Sequence, residues 1–262
     1  MKKLIYVLAL LPFMFCSCED KVSDQQGESG ENGPIVERLP VVKCLEFENG
    51  GYYGFEYDSY GRMNRISYYD NSMESESTFA QVYYEDQQVT KILEGGVDIC
   101  YKLDEAGKVV KASPTFLGNG DEEDYEVFEY DNDNYISSVS VAYDDGLAIW
   151  EFKVTDGNYT CITTDYESLF VEYTDYPNSY SIDLNYYLLT SAVWTPFYCF
   201  WFSKFPGATC PNLIKSIDGG GFKSVYHYSF DDFGRVSSIT MNKSYKDDGE
   251  KIVVTLSVKY KE

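Results

Sequence analysis

Beyond residue 41 the chain alternates apolar and polar side chains with a period of two. Ala148, Trp150, Phe152 and Val154 fall on one side against Glu151, Lys153 and Thr155 on the other. Ile252, Val254, Leu256, Val258 and Tyr260 do the same against Lys251, Thr255, Ser257 and Lys259, and Tyr226, Tyr228 and Phe230 repeat the habit. This period belongs to a strand with one face buried. No stretch of 12 or more residues after the leader carries helical periodicity, so little helix is expected.

The strand-like runs are separated by a recurring corner. Phe55-Glu56-Tyr57-Asp58 leads to Gly61-Arg62-Met63, Tyr101-Lys102-Leu103-Asp104 to Gly107-Lys108-Val109, and Tyr228-Ser229-Phe230-Asp231 to Gly234-Arg235-Val236. The shared pattern is aromatic, any, apolar, Asp, two residues, Gly, base, apolar. Aspartate opening a turn accepts hydrogen bonds from amides just ahead of it, and glycine three residues on takes the positive φ that reverses the chain. Phe128-Glu129-Tyr130-Asp131 leads to Asn134 in glycine's place, and Asp156-Gly157-Asn158 is a shortened corner. Successive hairpins make an antiparallel meander. The expected fold is all-β, with about 14–16 strands curled into a barrel or partial barrel, because a flat sheet of that width leaves two long edges and an uncovered apolar face.

The start of the chain differs. Met1-Lys2-Lys3 and the apolar run Leu4–Phe15 form a signal-peptide pattern, too short for a membrane helix of roughly 20 residues. Phe15-Cys16-Ser17-Cys18 resembles a bacterial lipobox, which implies cleavage after residue 17 and lipidation of Cys18. Two lipid signals or more give stable anchoring. The segment 18–40 is largely acidic and small polar residues and reads as a disordered linker, with about 20 Å of reach for its first part. Residues 41–262 are then expected to form a single domain. Acidic residues after Cys18 resemble a surface-export signal of Gram-negative lipoproteins, which implies an outer-membrane lipoprotein at the cell surface rather than on the periplasmic face.

Charge narrows the partners. The chain has 43 acidic and 21 basic side chains, and loss of Lys2 and Lys3 leaves 19 bases and a net charge of −24. Nucleic acid and anionic lipid headgroups are therefore poor partners on electrostatic grounds, and no nucleic-acid partner is expected. The membrane is expected to be met by the lipid anchor alone. The 26 tyrosines and 16 phenylalanines suit pleated, half-buried surfaces. Beyond Cys18 the mature chain has five cysteines, an odd number, so no full disulfide set forms internally. Cys199 and Cys210 are close enough for a loop disulfide, while Cys100 and Cys161 read as small buried hydrophobes.

The corner resembles the YD repeat of shell-forming Rhs proteins. A fuller resemblance, from about Val41 to Tyr260, is to a family of lipoproteins from gut Bacteroidetes with a porin-like fold. It rests on the lipobox, the Asp58–Gly61 corner, Tyr130-Asp131, Asp156-Gly157-Asn158, Asn178 with Ile182-Asp183-Leu184-Asn185, Gly207 with Asn212-Leu213-Ile214-Lys215, and Gly234-Arg235-Val236. The resemblance implies a curled antiparallel sheet and brings no activity with it. A membrane barrel turns its apolar band to lipid, whereas the linker, the net charge and the end Lys259-Tyr260-Lys261-Glu262 favour a barrel with its apolar face inward.

Candidate chemistry is sparse. His227 is the single histidine, which removes any two-histidine metal site, and its strand position reads as an outward sheet residue. Asp131-Asn132-Asp133-Asn134 fails the calcium-loop register at Ile136 and Ala142, and Asp121–Asp124 reads as a solvated run. No catalytic residue, metal or cofactor is expected. The stretch 192–211 breaks the hairpin rhythm with Trp194, Tyr198, Trp201 and three prolines. It reads as an aromatic insert that plugs one end of the sheet or, if exposed, as a platform of Trp194, Tyr198 and Trp201 for a sugar or peptide. The expected function is a non-catalytic binding or interaction module of the cell envelope, for a glycan, a peptide or an envelope protein. The alternative is a glycoside hydrolase with a carboxylate pair.

Overall fold

The computed structural model describes residues 39–71, 76–85, 88–94, 97–104, 108–115, 125–143, 146–192, 208–247 and 249–261. Among the described residues sixteen strands follow in order: β1 Val42–Phe47, β2 Tyr52–Tyr57, β3 Met63–Tyr69, β4 Ser77–Glu85, β5 Gln88–Glu94, β6 Val97–Leu103, β7 Val109–Thr115 and β8 Tyr125–Tyr130 in the first half. The second half holds β9 Ile136–Tyr143, β10 Gly146–Thr155, β11 Asn158–Thr163, β12 Ser168–Pro177, β13 Asn212–Asp218, β14 Phe222–Phe230, β15 Val236–Tyr245 and β16 Lys251–Tyr260, with a helix, α1 Leu184–Ala192, between β12 and β13. Each strand pairs antiparallel with the next, and β1 pairs with β16 from Val42 opposite Tyr260 to Phe47 opposite Leu256. The meander thus curls until its ends meet.

The apolar face is the inward one. Phe55 opposite Ile66, Phe128 opposite Val139, and Ile239 opposite Leu256 are all buried, while Glu129, Lys153, Lys223 and Lys259 on the alternate positions are exposed. This is the reverse of a membrane barrel's lipid-facing band. Burying a Leu, Ile or Phe side chain stabilises by roughly 1.5–3 kcal/mol, so the inward rows hold the sheet in its curl.

The corners share one geometry. Asp58 Oδ1 accepts from the amides of Tyr60 and Arg62, both at 2.9 Å, and Oδ2 accepts from Arg62 Nε at 2.8 Å. Asp231 does the same with Phe233, Arg235 and the Arg235 guanidinium. Asp131 collects Asp133 and Tyr135, and Asp104 collects Lys108. Gly61, Gly234 and Asn134 have φ of 77°, 74° and 67°, the left-handed region where glycine and then asparagine are cheapest. In each corner the register slips by one residue just before the aspartate, a β-bulge. Asp156 and Gly157 are both at positive φ and are flanked by the pair Thr155–Asn158, a two-residue type I′ hairpin. It is a different turn from the longer corners.

Tyrosine accounts for the carbonyls at these ends. Near the close of an even strand, a tyrosine donates its hydroxyl to the carbonyl near the start of the odd strand before it. The pairs are Tyr57 to Val42 at 2.7 Å, Tyr84 to Met63 at 2.5 Å, Tyr130 to Val109 at 2.7 Å, Tyr173 to Tyr159 at 3.0 Å, Tyr228 to Ile214 at 2.5 Å and Tyr260 to Val236 at 2.7 Å. All six rings pack on the core. The corner's base roofs the same ring: the Arg62 guanidinium lies 4.2 Å from the Tyr84 centroid, Lys108 Nζ 4.8 Å from Tyr130, and the Arg235 guanidinium 4.3 Å from Tyr260. Base, aspartate and tyrosine are therefore one repeated unit, with a cation–π contact as its lid.

Residues 181–188 and Ala208 meet this tyrosine-lined end. Asp183 caps α1, its Oδ1 accepting from the Asn185 amide at 2.9 Å. Leu184, Asn185, Tyr186 and Leu188 are buried. Apolar residues on every side give no helical stripe, which is why periodicity does not reveal α1. Ser181 accepts from the Val42 amide and bonds the Tyr57 hydroxyl, and Ala208 donates to the Asn134 carbonyl. Of the stretch 192–211, Trp194, Tyr198, Trp201 and Cys199 lie outside the described residues. Cys210 is a free, buried thiol rather than half of a disulfide, and burial pushes its pKa up to about 12. Cys161 faces outward between Lys153 and Phe170 and is half-buried, so it is no core residue; the bulge at Val154 sets its side.

Replacing Tyr260 by Phe leaves a core-packed ring and an unpaired Val236 carbonyl. A loss of about 1–3 kcal/mol in urea unfolding is expected, and an unchanged midpoint would show that the hydroxyl does not hold that carbonyl.

Candidate functional site

On the outer face a row of small residues crosses the first strands. Register places Lys259, Cys44, Gly54, Ser67 and Thr78 in line on β16, β1, β2, β3 and β4. Because Cys44, Gly54 and Ser67 are short between taller neighbours, they become the floor of a groove of about 410 Å³, with Lys259 at its edge. Gly54 is necessary to its shape: a Cβ there would stand 2.7 Å from Ser67 Oγ and 3.6 Å from the Tyr52 ring.

The walls are the rows on either side. On one, Glu46 lies opposite Tyr52, and Tyr52 opposite Tyr69. The two tyrosine rings stack at 5.5 Å and 27°, and the Tyr52 hydroxyl donates to Glu76 Oε2 at 2.5 Å. On the other wall Arg65 donates to Glu56 at 3.0 Å and to Thr78 Oγ1 at 3.0 Å, and lies 3.8 Å from Glu76. Lys259 faces Glu46 at 3.7 Å, and Lys43 completes the rim.

Protonation follows from these contacts. The hydrogen bond from Tyr52 holds the Glu76 carboxyl below the ordinary range, and the same bond pushes the Tyr52 phenol up to about 12. Burial, then Glu46, pushes the Cys44 thiol up to about 11, so near neutral pH it is no nucleophile. The groove is a set of fixed acceptors and donors beside an aromatic wall.

Two further carboxyls are held above their ordinary range. Glu126 shares the inward face of β8 with Phe128, and burial pushes its carboxyl up to about 8. Burial pushes Asp183 up to about 6 against the bonds from Asn178, Asn185 and Tyr186 that favour its ionised form. Part of the Asp183 residue surface stays accessible, but its carboxylate is enclosed among Asn178, Asn185 and Tyr186, and the enclosure sets its titration. Asn178 also reaches the Cys210 carbonyl, Asn185 clasps the Asn212 carbonyl and the Ile214 amide, and Asn158 and Asn212 bond each other. These asparagines tie residues 178–185 to Cys210 and β13, and β11 to β13.

Of the residues singled out by sequence, Asp58, Gly61, Asp104, Asp131, Asn134, Asp156, Gly157, Asp231 and Gly234 stand at chain reversals. Gly107, Cys18, Trp194, Tyr198 and Trp201 lie outside the described residues. His227 is exposed on the outer face of β14. Sequence reading passes over Tyr52, Gly54, Ser67 and Glu76. An isolated glycine inside a strand pattern was the available signal, since it marks a close approach or a gap in the side-chain layer.

No family model and no curated protein matches the chain. A porin-like protein from Bacteroides uniformis is similar in structure, with 17% identity and a TM-score of 0.60 over 84% of this chain and 96% of that one. At that identity the likeness shows the fold alone, a curled all-β meander. Structures of TcdB2-TccC3 without its hypervariable C-terminal region and of TcdB2-TccC3-Cdc42 match at 11% and 12% identity, with TM-scores of 0.30 and 0.31. This chain spans 9% and 12% of their lengths, and the low scores carry no argument.

Asp183 sets a test of the enclosure. Its folded pKa is raised from 3.8 to about 6, so the folded state binds the extra proton; the contribution is full below pH 3.8 and is lost as pH rises through about 6. Asp183→Asn keeps the cap acceptor and removes the titration. Its urea midpoint is expected to gain on the parent between about pH 4 and pH 7; a constant difference would place the carboxylate in water.

Proposed function

We propose that the chain is exported, lipidated at Cys18 and tethered by residues 18–40 to the outer membrane, with the barrel at the cell surface as a non-catalytic binding module. The leader pattern and lipobox support the anchor. The porin-like neighbour agrees with a place in the envelope, and the inward apolar face suits a domain held beside a bilayer. The groove on β1–β4 is the ligand face. The observation that carries this reading is the small-residue floor with the paired Tyr52–Glu76 wall, a preorganised concave polar site.

Binding is favoured over hydrolysis. A glycosidase acid needs a carboxyl held proton-loaded, and Glu76 is held on the opposite side of its ordinary range. The raised carboxyls stand elsewhere, Glu126 on the inward face of β8 and Asp183 at the cap of α1.

Two measurements test the reading. Cys18→Ser is expected to move the protein from the membrane pellet to the soluble envelope fraction, and unchanged pelleting would remove the anchor. An array of envelope glycans and peptides probed with the purified protein is expected to give signals that fall in Tyr52→Ala and Glu76→Ala. Signals indifferent to both substitutions would place binding elsewhere.

A further inference from the structure

Resting on the groove as the binding face, we infer that its ligand is an uncharged saccharide. Three observations on the groove converge on this class.

The first is local charge. Lys43 and Lys259 line the groove with Glu46, Glu56 and Glu76, and Arg65, beside the lining, pairs with Glu56 and Glu76, so the acids are locally matched by bases in a chain with 43 acids and 21 bases. The surrounding field repels anions, and the balanced groove offers a cation no special place. A charged ligand would have to break an ion pair such as Lys259–Glu46 or Arg65–Glu56. A neutral one leaves the pairs intact.

The second is hydrogen-bonding capacity. Each carboxylate offers about four lone-pair sites and guanidinium five donors, and the internal bonds fill only part of them. Glu76 accepts from Tyr52, and Arg65 spends donors on Glu56 and Thr78. The rest suit vicinal hydroxyls, which both donate and accept. The third is the ring wall. Tyr52, stacked on Tyr69 and lining the groove beside Gly54, offers an apolar surface to the C–H face of a sugar ring. Acceptors, donors and an aromatic surface around a floor of small residues match a polyol with an apolar face, and match an extended peptide less well, because the groove crosses the strands and presents no free sheet edge.

The test is calorimetric titration of the purified protein and of Tyr52→Ala with four ligand sets: neutral oligosaccharides, uronate-containing oligosaccharides, amino-sugar oligomers and neutral tetrapeptides. Neutral oligosaccharides are expected to bind, with affinity about tenfold lower in Tyr52→Ala and little change between about 50 and 300 mM salt. Binding of a charged set or of the peptides, with the same dependence on Tyr52, would overturn the saccharide assignment and leave the groove as the site. Saccharide binding unaffected by Tyr52→Ala would overturn both. No heat with any set would overturn the ligand class, while the array signals of the groove variants test the site separately. The circular dichroism of Tyr52→Ala checks that the fold persists.

Discussion

A meander of sixteen strands has many ways to slip, and its reversals decide whether it does. In this chain the constraint is a carboxylate: Asp58, Asp131 and Asp231 each gather two amides of their own corner, and the aspartates of two of those corners are gripped by an arginine four residues on. At Asp58 and Asp231 desolvation opposes ionisation, yet guanidinium and amides together outweigh it and hold both carboxyls below the ordinary range. Just past the bulge, the Met63 and Val236 carbonyls of the Asp58 and Asp231 corners are satisfied by Tyr84 and Tyr260 from the neighbouring strand, while at the Asp131 corner the Tyr159 hydroxyl accepts from the Ile136 amide. A slip of one residue would separate hydroxyl from carbonyl and turn the apolar row outward, so local corner chemistry and global register enforce each other.

That coupling explains an abundance otherwise puzzling. Tyrosine is used where phenylalanine would pack as well because the ring must end in a donor, and burial raises the phenols of Tyr57, Tyr84, Tyr173, Tyr228 and Tyr260 so that they keep the proton they donate. The base after each glycine, which looks incidental in the sequence pattern, chelates the aspartate and covers the tyrosine. With both ends of each hairpin pinned, the outer face is free to vary, and on β1–β4 it varies into a groove.

Much of this architecture is legible in the sequence, and for a physical reason. Period-two alternation and Asp-x-x-Gly corners are local codes, so Ala148 to Thr155 and Asp231 to Gly234 announce their places without knowledge of the rest. What is illegible depends on distant partners. With apolar residues on every side, α1 has no stripe to betray it, the Cys161 side flips at a bulge, and Cys210 is a core thiol because Tyr159 and Tyr173 surround it. The groove arises only when Cys44, Gly54 and Ser67 line up across three strands, an alignment that register creates and sequence spacing does not display.

The most direct test of the corner account is amide hydrogen exchange at Arg62, Lys108, Tyr135 and Arg235, whose N–H groups each donate to a corner aspartate. Turn amides ordinarily exchange through small local openings. If the carboxylates lock the reversals, these four are expected to exchange as slowly as the amides in the middle of β15, opening only with the whole fold. Exchange near the rate of an unstructured peptide would show that the corners are held by the strands, and not the strands by the corners.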